Sequence, residues 1–168
     1  MTTDISRYAE IKQAALNVLE ANRIDEPPVT AARLAEAYGF TVIGMIFSPE
    51  HAKRIAGFID VPSGEIVVNA EDAPVIQNYT IAHELGHYLL KHHEAEDFEK
   101  NYSVLLREAG GPSQEPMEIE ANLFADNLLV PSMFLREYLD RYPRATNQEL
   151  SNIFGVSPEV IRYRRPYA

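Results

Sequence analysis

Two segments of the chain combine apolar residues at helical spacing with side chains that bind metals. The first spans residues 80–90 and contains the pattern His-Glu-x-x-His at His83, Glu84 and His87. Residues four apart lie on one face of a helix, so both imidazoles can reach one metal ion. Glu84 lies about 100° round the helix from His83, where it can contact a water on the metal but cannot be an equivalent ligand. This arrangement is typical of zinc metalloproteases, in which the glutamate is the general base.

The second segment, which ends at Pro131, offers candidates for a third ligand. Glu118 and Glu120 point about 200° apart on a helix, so they cannot both face one metal. The small or polar residues on the Glu118 face are Ala121, Asn122 and Ala125. Because these side chains let the two helices approach closely, we predict Glu118 as the ligand and keep Glu120 as the alternative. Asn122 is predicted to accept a hydrogen bond from the outer N–H of a ligating histidine.

The remaining hydrophobic pattern predicts an α+β fold. Helices are predicted at residues 5–21, 30–38, 70–91, 132–142, 146–154 and after 158, and strands at 41–47, 54–61 and 65–69. The turn residues Pro62, Ser63 and Gly64 predict a hairpin between the last two strands. We therefore expect a small antiparallel sheet packed on the His-Glu-x-x-His helix, with additional N- and C-terminal helices. His92 and His93 follow that helix, and we interpret them as capping residues.

Composition narrows the possible chemistry. The 168 residues suit one domain, and the absence of cysteine leaves His and carboxylate groups as ligands, which fits a catalytic zinc site better than a structural one. A net charge of −10 argues against direct binding to nucleic acid and mildly favours a basic partner. No segment has the apolar pattern of a signal peptide or a membrane span, so we expect no membrane contact and a cytoplasmic location.

The two metal-binding segments resemble one known family in detail. The first reads Thr80-x-Ala82-His83-Glu84-Leu85-Gly86-His87-x-Leu89-Leu90, and the second reads Glu118-x-Glu120-Ala121-Asn122-x-Phe124-Ala125-x-x-Leu128-Leu129-x-Pro131. In this order and spacing they resemble the ImmA/IrrE family of zinc metallopeptidases over roughly residues 25–140. The resemblance implies a zincin-like domain with bound Zn2+ and a gluzincin-like site with a glutamate as third ligand. It also implies an edge strand that pairs with an extended protein substrate, typically a helix-turn-helix repressor.

These observations predict a single metallopeptidase domain over residues 1–168, with a helical N-terminal part (1–40), a catalytic core (41–131) and a helical C-terminal part (132–168). The leading hypothesis is a zinc endopeptidase that relieves repression by cleaving a DNA-binding repressor. The metal ligands would be His83, His87 and Glu118, and Glu84 would be the general base.

Two other functions are compatible with the sequence. One is a zinc-binding anti-repressor or interaction protein that sequesters a repressor without cutting it, although such a protein has no need of Glu84. The other is a DNA-binding regulator that uses the terminal helices, which the negative charge disfavours. Residues 94–116 are predicted either to gate the site or to form a surface connection. The donor for the oxyanion is not assigned among Tyr79, Tyr88, Tyr102 and the later tyrosines.

Overall fold

The computed structural model describes residues 5–53, 55–94, 105–106 and 115–168. Its helices are α1 (Ile5–Ala21), α2 (Ala31–Ala37), α3 (Pro49–Ala52), α4 (Pro74–Leu89), α5 (Pro116–Leu129), α6 (Ser132–Arg141), α7 (Asn147–Phe154) and α8 (Pro158–Arg164). Its strands are β1 (Thr41–Met45), β2 (Ile55–Asp60), β3 (Glu65–Asn69) and β4 (Leu105–Leu106). Short 3-10 turns occur at His92–Glu94 and Arg165–Tyr167. The predicted α+β class is therefore confirmed.

The sheet is mixed, with strand order β1-β3-β2-β4. The hairpin prediction is correct, because β2 and β3 are antiparallel, and β4 is antiparallel to β2. The prediction of a wholly antiparallel sheet is wrong, because β1 runs parallel to β3. The side chains of Ile66, Val67 and Val68 on β3 are all buried. Such a continuous buried run is typical of a central strand, and β3 takes that position by pairing with β1 on its other edge.

Helix α4 packs closely against α5, and a glycine makes this contact possible. A Cβ atom placed on Gly86 would lie 2.9 Å from Phe124 Cδ1 and 3.3 Å from the backbone oxygen of Ala121. Any larger residue would push the two helices apart. The glycine lets the backbone of α5 approach behind the candidate metal site. This close approach brings the start of α5 beside the histidines of α4.

Helix α1 lies against α5 and contributes Ile11 and Ala15 to the same buried core as the α4–α5 pair. The C-terminal helices join this core as well. Thr146 and Glu149 form a capping box at the start of α7. Arg164 of α8 is buried and donates hydrogen bonds to the Val130 carbonyl, at 3.0 Å, and to a second acceptor on α6.

In the part of the chain that the structure describes, no helix combines the length and the apolar character that a membrane crossing requires.

Candidate metal centre

Helix α4 places His83, Glu84 and His87 in the protein interior. Their relative exposures are 0%, 1% and 1%, respectively. The helix begins at Pro74, a favoured residue for the first helical position, and is capped at its C-terminal end by Leu90. Burial of three polar side chains on one helix is costly unless each finds a polar partner or a ligand.

His83, His87 and Glu118 converge on one point. The Nε2 atoms of the two histidines lie 3.0 Å apart. Each Nε2 atom lies 3.2 Å from an oxygen of the Glu118 carboxylate. Glu118 stands in the first turn of α5 and is 13% exposed, so the cluster opens to solvent on the carboxylate side. It is a group within the described residues that could hold a metal ion.

The geometry of this cluster fits a zinc ion. Two ligand atoms at about 2.0–2.1 Å from a tetrahedral zinc lie about 3.3 Å from each other, close to the spacings within the cluster. Two imidazole nitrogens and one carboxylate are also a common donor set of catalytic zinc sites, which keep a fourth position open. Glu120, the alternative third ligand, is not part of the cluster.

Glu84 lies beside the cluster without a hydrogen-bond partner. Both of its carboxylate oxygens are buried, and neither has a partner among the described residues. Burial raises the pKa of Glu84 to about 8, and the negative charge of Glu118 adds to the shift. The positive charge of His83 opposes this shift, and so does the Ile59 backbone N–H, which lies near Glu84 but does not meet the geometry of a full hydrogen bond. Glu84 is therefore a carboxyl group able to accept and return a proton near neutral pH.

The three cluster residues influence each other's ionisation. Burial alone would raise the pKa of Glu118, but hydrogen bonds from His83 and His87 lower it well below its ordinary value. Burial lowers the pKa of His87 to about 4, against the hydrogen bond to Glu118. Burial acts the same way on His83, but Glu118 and Glu84 outweigh it and raise the pKa of that ring. His87 is therefore neutral at neutral pH and keeps a lone pair on one ring nitrogen.

A comparison with known protein families supports a metal site at this position. Residues 35–165, more than half of the chain, match the IrrE N-terminal-like domain of the M78 peptidases. The chain belongs to this family. Membership confirms the resemblance seen in the two motifs and supports a metallopeptidase-type function. No curated protein matches the chain significantly.

A Mycobacterium tuberculosis protein described as a transcriptional regulator has the same fold as this IrrE-like domain. The TM-score is 0.67 at 18% sequence identity, with 93% of this chain and 46% of that chain covered. The present chain thus spans less than half of the length of the regulator.

The outer side of the His83 ring faces Asn122 of α5. His83 Nδ1 lies 2.9 Å from Asn122 Oδ1, in the arrangement that the sequence analysis predicted for this residue. The Tyr79 hydroxyl lies 3.4 Å from the same oxygen and 3.1 Å from Asp126 Oδ1. A hydroxyl has one hydrogen, so Tyr79 donates to the nearer acceptor, Asp126. The Tyr79 hydroxyl is therefore engaged with Asp126 on the outer side of His83, which argues against Tyr79 as the oxyanion donor.

The outer side of the His87 ring faces His92, a residue that the sequence analysis interpreted as a cap. His92 is instead 5% exposed, with its Nδ1 atom 2.9 Å from His87 Nδ1. The chain reaches this position because Lys91 adopts a left-handed conformation, with φ 62°, directly after the helix. A non-glycine residue in this conformation is uncommon, so nothing in the sequence marks the turn. Glu120 points to the same side and contacts His92 and Arg7.

The predicted gating role of residues 94–116 falls mostly outside the described residues, as does Tyr102. The other tyrosine near the motif, Tyr88, stacks on His93 and packs edge-on against Phe40.

Proposed function

We propose that this protein is a zinc-dependent endopeptidase of the gluzincin type. His83, His87 and Glu118 would hold the metal, and Glu84 would be the general base. The observation that carries the proposal is the convergence of two ring nitrogens and a carboxylate, 3.0 to 3.2 Å apart, beside a buried carboxyl group with no partner among the described residues. Membership of the IrrE-like family supports the same class of function.

Zinc bound at this point would lower the pKa of a water molecule towards about 7 and polarise the carbonyl of a peptide substrate. Glu84 would take the proton from the attacking water and then pass it to the leaving amine. Asn122 would keep the His83 ring oriented so that Nε2 faces the metal. The open position at the carboxylate side of the cluster would admit the substrate.

The substrate that we propose is a protein, a helix-turn-helix transcriptional repressor whose cleavage relieves repression. The resemblance to the ImmA/IrrE family supports this choice. A link to transcription is also suggested by the fold shared with a protein described as a transcriptional regulator. The net charge of −10 favours a basic protein partner over direct contact with nucleic acid. A cytoplasmic location fits such a substrate and stays a prediction.

Elemental analysis at saturating zinc tests the metal site. The wild type and the Glu120→Ala variant should each hold about one zinc per chain, and Glu118→Ala should hold a small fraction of that amount. Glu120 is the matched control, because it lies two positions past the ligand in the same helix turn and carries the same side chain. At saturating zinc, a moderate loss of affinity in this variant leaves the site filled. Loss of zinc from Glu120→Ala alone would show that the wrong carboxylate had been chosen.

Cleavage of a purified helix-turn-helix repressor tests the general base. The Glu84→Gln variant should keep its zinc and lose cleavage by at least about 100-fold, because it cannot accept a proton. Cleavage at the wild-type rate would contradict the role of Glu84. If the wild type binds zinc and relieves repression in cells, and Glu84→Gln does so equally well, the non-catalytic anti-repressor becomes the better interpretation.

A further inference from the structure

A chain of polar contacts leads from the outer side of His87 to the first helix. After the contact between the two Nδ1 atoms of His87 and His92, His92 Nε2 lies 3.1 Å from Glu120 Oε2. Arg7 Nη2 donates to the same oxygen at 2.7 Å, and Arg7 Nε donates to Glu120 Oε1 at 3.1 Å. The chain therefore joins α4, the 3-10 turn after it, α5 and α1.

The positions of the protons in this chain follow from the metal site. If His87 Nε2 binds the metal, the ring proton lies on Nδ1, which must then donate to His92 Nδ1. His92 Nδ1 is thereby an acceptor, so the proton of a neutral His92 ring lies on Nε2. From there it can be donated only outward, to Glu120. Each of the two histidine links has one possible direction, and both point away from the metal and towards the Glu120 carboxylate, which accepts from Arg7 on its other side.

Burial and charge make these contacts specific. The side chain of His92 is 5% exposed and that of Glu120 is 17% exposed, so water competes poorly for the links between them. Glu120 receives two parallel hydrogen bonds from the Arg7 guanidinium, a geometry that fixes both oxygens of the carboxylate. Arg7 and Glu120 are separated by 113 positions in the sequence, so only the packing of α1 on α5 brings them together.

We propose that His92, Glu120 and Arg7 are positioning residues that orient the His87 ring and strengthen its hold on the metal. The inference rests on the proposed function, since it takes His87 Nε2 as a zinc ligand. The Glu120 carboxylate accepts from His92 Nε2–H, which makes His92 Nδ1 a stronger acceptor for the His87 N–H and so makes His87 Nε2 a better electron donor to a cation. Arg7 fixes the carboxylate in place and compensates its charge. The contact between α1 and the site thus acts on the metal through three hydrogen-bonded steps.

Zinc release from the full chain into an excess of chelator tests the proposal. The variants are His92→Phe, Glu120→Gln and Arg7→Ala, which break the chain at increasing distance from the metal. Removal of an outer partner of a metal ligand typically costs about 10–100-fold in metal affinity. We expect His92→Phe to release zinc at least about tenfold faster than the wild type, with smaller increases for Glu120→Gln and then Arg7→Ala.

Two further variants separate this effect from general loss of structure. Glu10→Gln is the matched control, because Glu10 also contacts Arg7, at 3.0 Å, but is 64% exposed and lies away from the metal. It should release zinc at the wild-type rate. His92→Asn places an amide oxygen near the position of Nδ1 and can still accept from His87, so it should recover part of the loss seen in His92→Phe.

The ring protons give an independent readout. In long-range 1H–15N spectra of the zinc-loaded wild type, His87 should carry its proton on Nδ1 and His92 on Nε2. In Glu120→Gln the His92 proton should stay on Nε2 but lose its charged acceptor, so the resonance of this proton should move upfield. A His92 ring protonated at Nδ1 in the wild type would overturn the proposal, and so would wild-type zinc release from both Glu120→Gln and Arg7→Ala. A wild type that binds no zinc at all would overturn the proposed function as well, which distinguishes the two failures.

Discussion

The two imidazoles of the candidate metal site are supported differently on their outer sides. His83 faces the neutral amide of Asn122, which lies next to the Tyr79–Asp126 pair on the same two helices. His87 faces a second imidazole, and its support ends in the ion pair of Glu120 with Arg7. One ring is thus held by an uncharged acceptor within the α4–α5 pair, and the other by a charged group fixed from α1.

The carboxyl groups at the two ends also differ in their ionisation. Burial raises the pKa of Asp126 to about 6, even though Tyr79 and Arg164 oppose the shift. Burial would also raise the pKa of Glu120, but Arg7 and His92 lower it below its ordinary value. The difference teaches that two imidazoles one helical turn apart can be oriented by different means. An amide fixes geometry alone, whereas a paired carboxylate fixes geometry and adds negative charge behind the ring.

The largest effect should come from a change that disturbs both rings at once. Gly86→Ala adds a methyl group where Phe124 Cδ1 lies only 2.9 Å away, so α5 must move and carry Glu118 with it. We expect zinc affinity to fall by about 100-fold and the free energy of unfolding to fall by about 1–3 kcal/mol. Competition with a chromophoric chelator and urea unfolding measure the two quantities.

Gly44→Ala is the control for this variant, because a Cβ atom there would make ordinary contacts with Ala70, at 3.4 Å from its Cβ and 3.9 Å from its Cα. If Gly86→Ala bound zinc as tightly as Gly44→Ala, the close approach of the two helices would not be what positions Glu118.

An intermediate effect should come from changes on the His83 side alone. Asn122→Ala removes the acceptor for His83 Nδ1–H and should weaken zinc binding by about tenfold. Asn122→Asp keeps an acceptor and gives it a charge, so the His83 side then resembles the His87 side. This variant should bind zinc at least as tightly as the wild type near neutral pH. Equal zinc affinities for the Ala and Asp variants would show that the outer partner of His83 has no influence on the metal.

The smallest effect concerns stability and pH. With a folded-state pKa of about 6 against an ordinary 3.8, Asp126 keeps its proton in the folded protein over a pH range in which the unfolded chain has lost it. The wild type therefore loses stability as the pH rises through this range. Asp126→Asn cannot ionise and still accepts from Tyr79. Its stability relative to the wild type should rise by on the order of 1–2 kcal/mol between pH 4 and pH 7.

Urea unfolding of both proteins in the presence of chelator measures this difference without interference from the metal. A constant difference across the pH range would show that Asp126 ionises in the folded protein as it does in the unfolded chain.

Much of the fold could be predicted from local patterns. The spacing of apolar residues predicted most of the helices and strands. The small residues beside Glu118 predicted which face of α5 would meet α4. The parallel pairing of β1 with β3 could not be predicted, because it depends on which edge of β3 remains open after the hairpin forms. His92 was misinterpreted because its position depends on the left-handed conformation of Lys91, for which the sequence carries no glycine.

The contact of Arg7 with Glu120 lies beyond any local pattern, since it follows only from how α1 packs. It also has a practical consequence for anyone who trims this protein to a minimal working unit. The family match begins at residue 35, so a fragment cut to that boundary keeps all of the proposed zinc ligands. The same fragment discards α1, and with it Arg7 and the buried side chain of Ile11. If Arg7 supports the metal as proposed, we expect the limits of a fragment that holds zinc tightly to follow the packing of α1 on α5 and not the extent of sequence similarity.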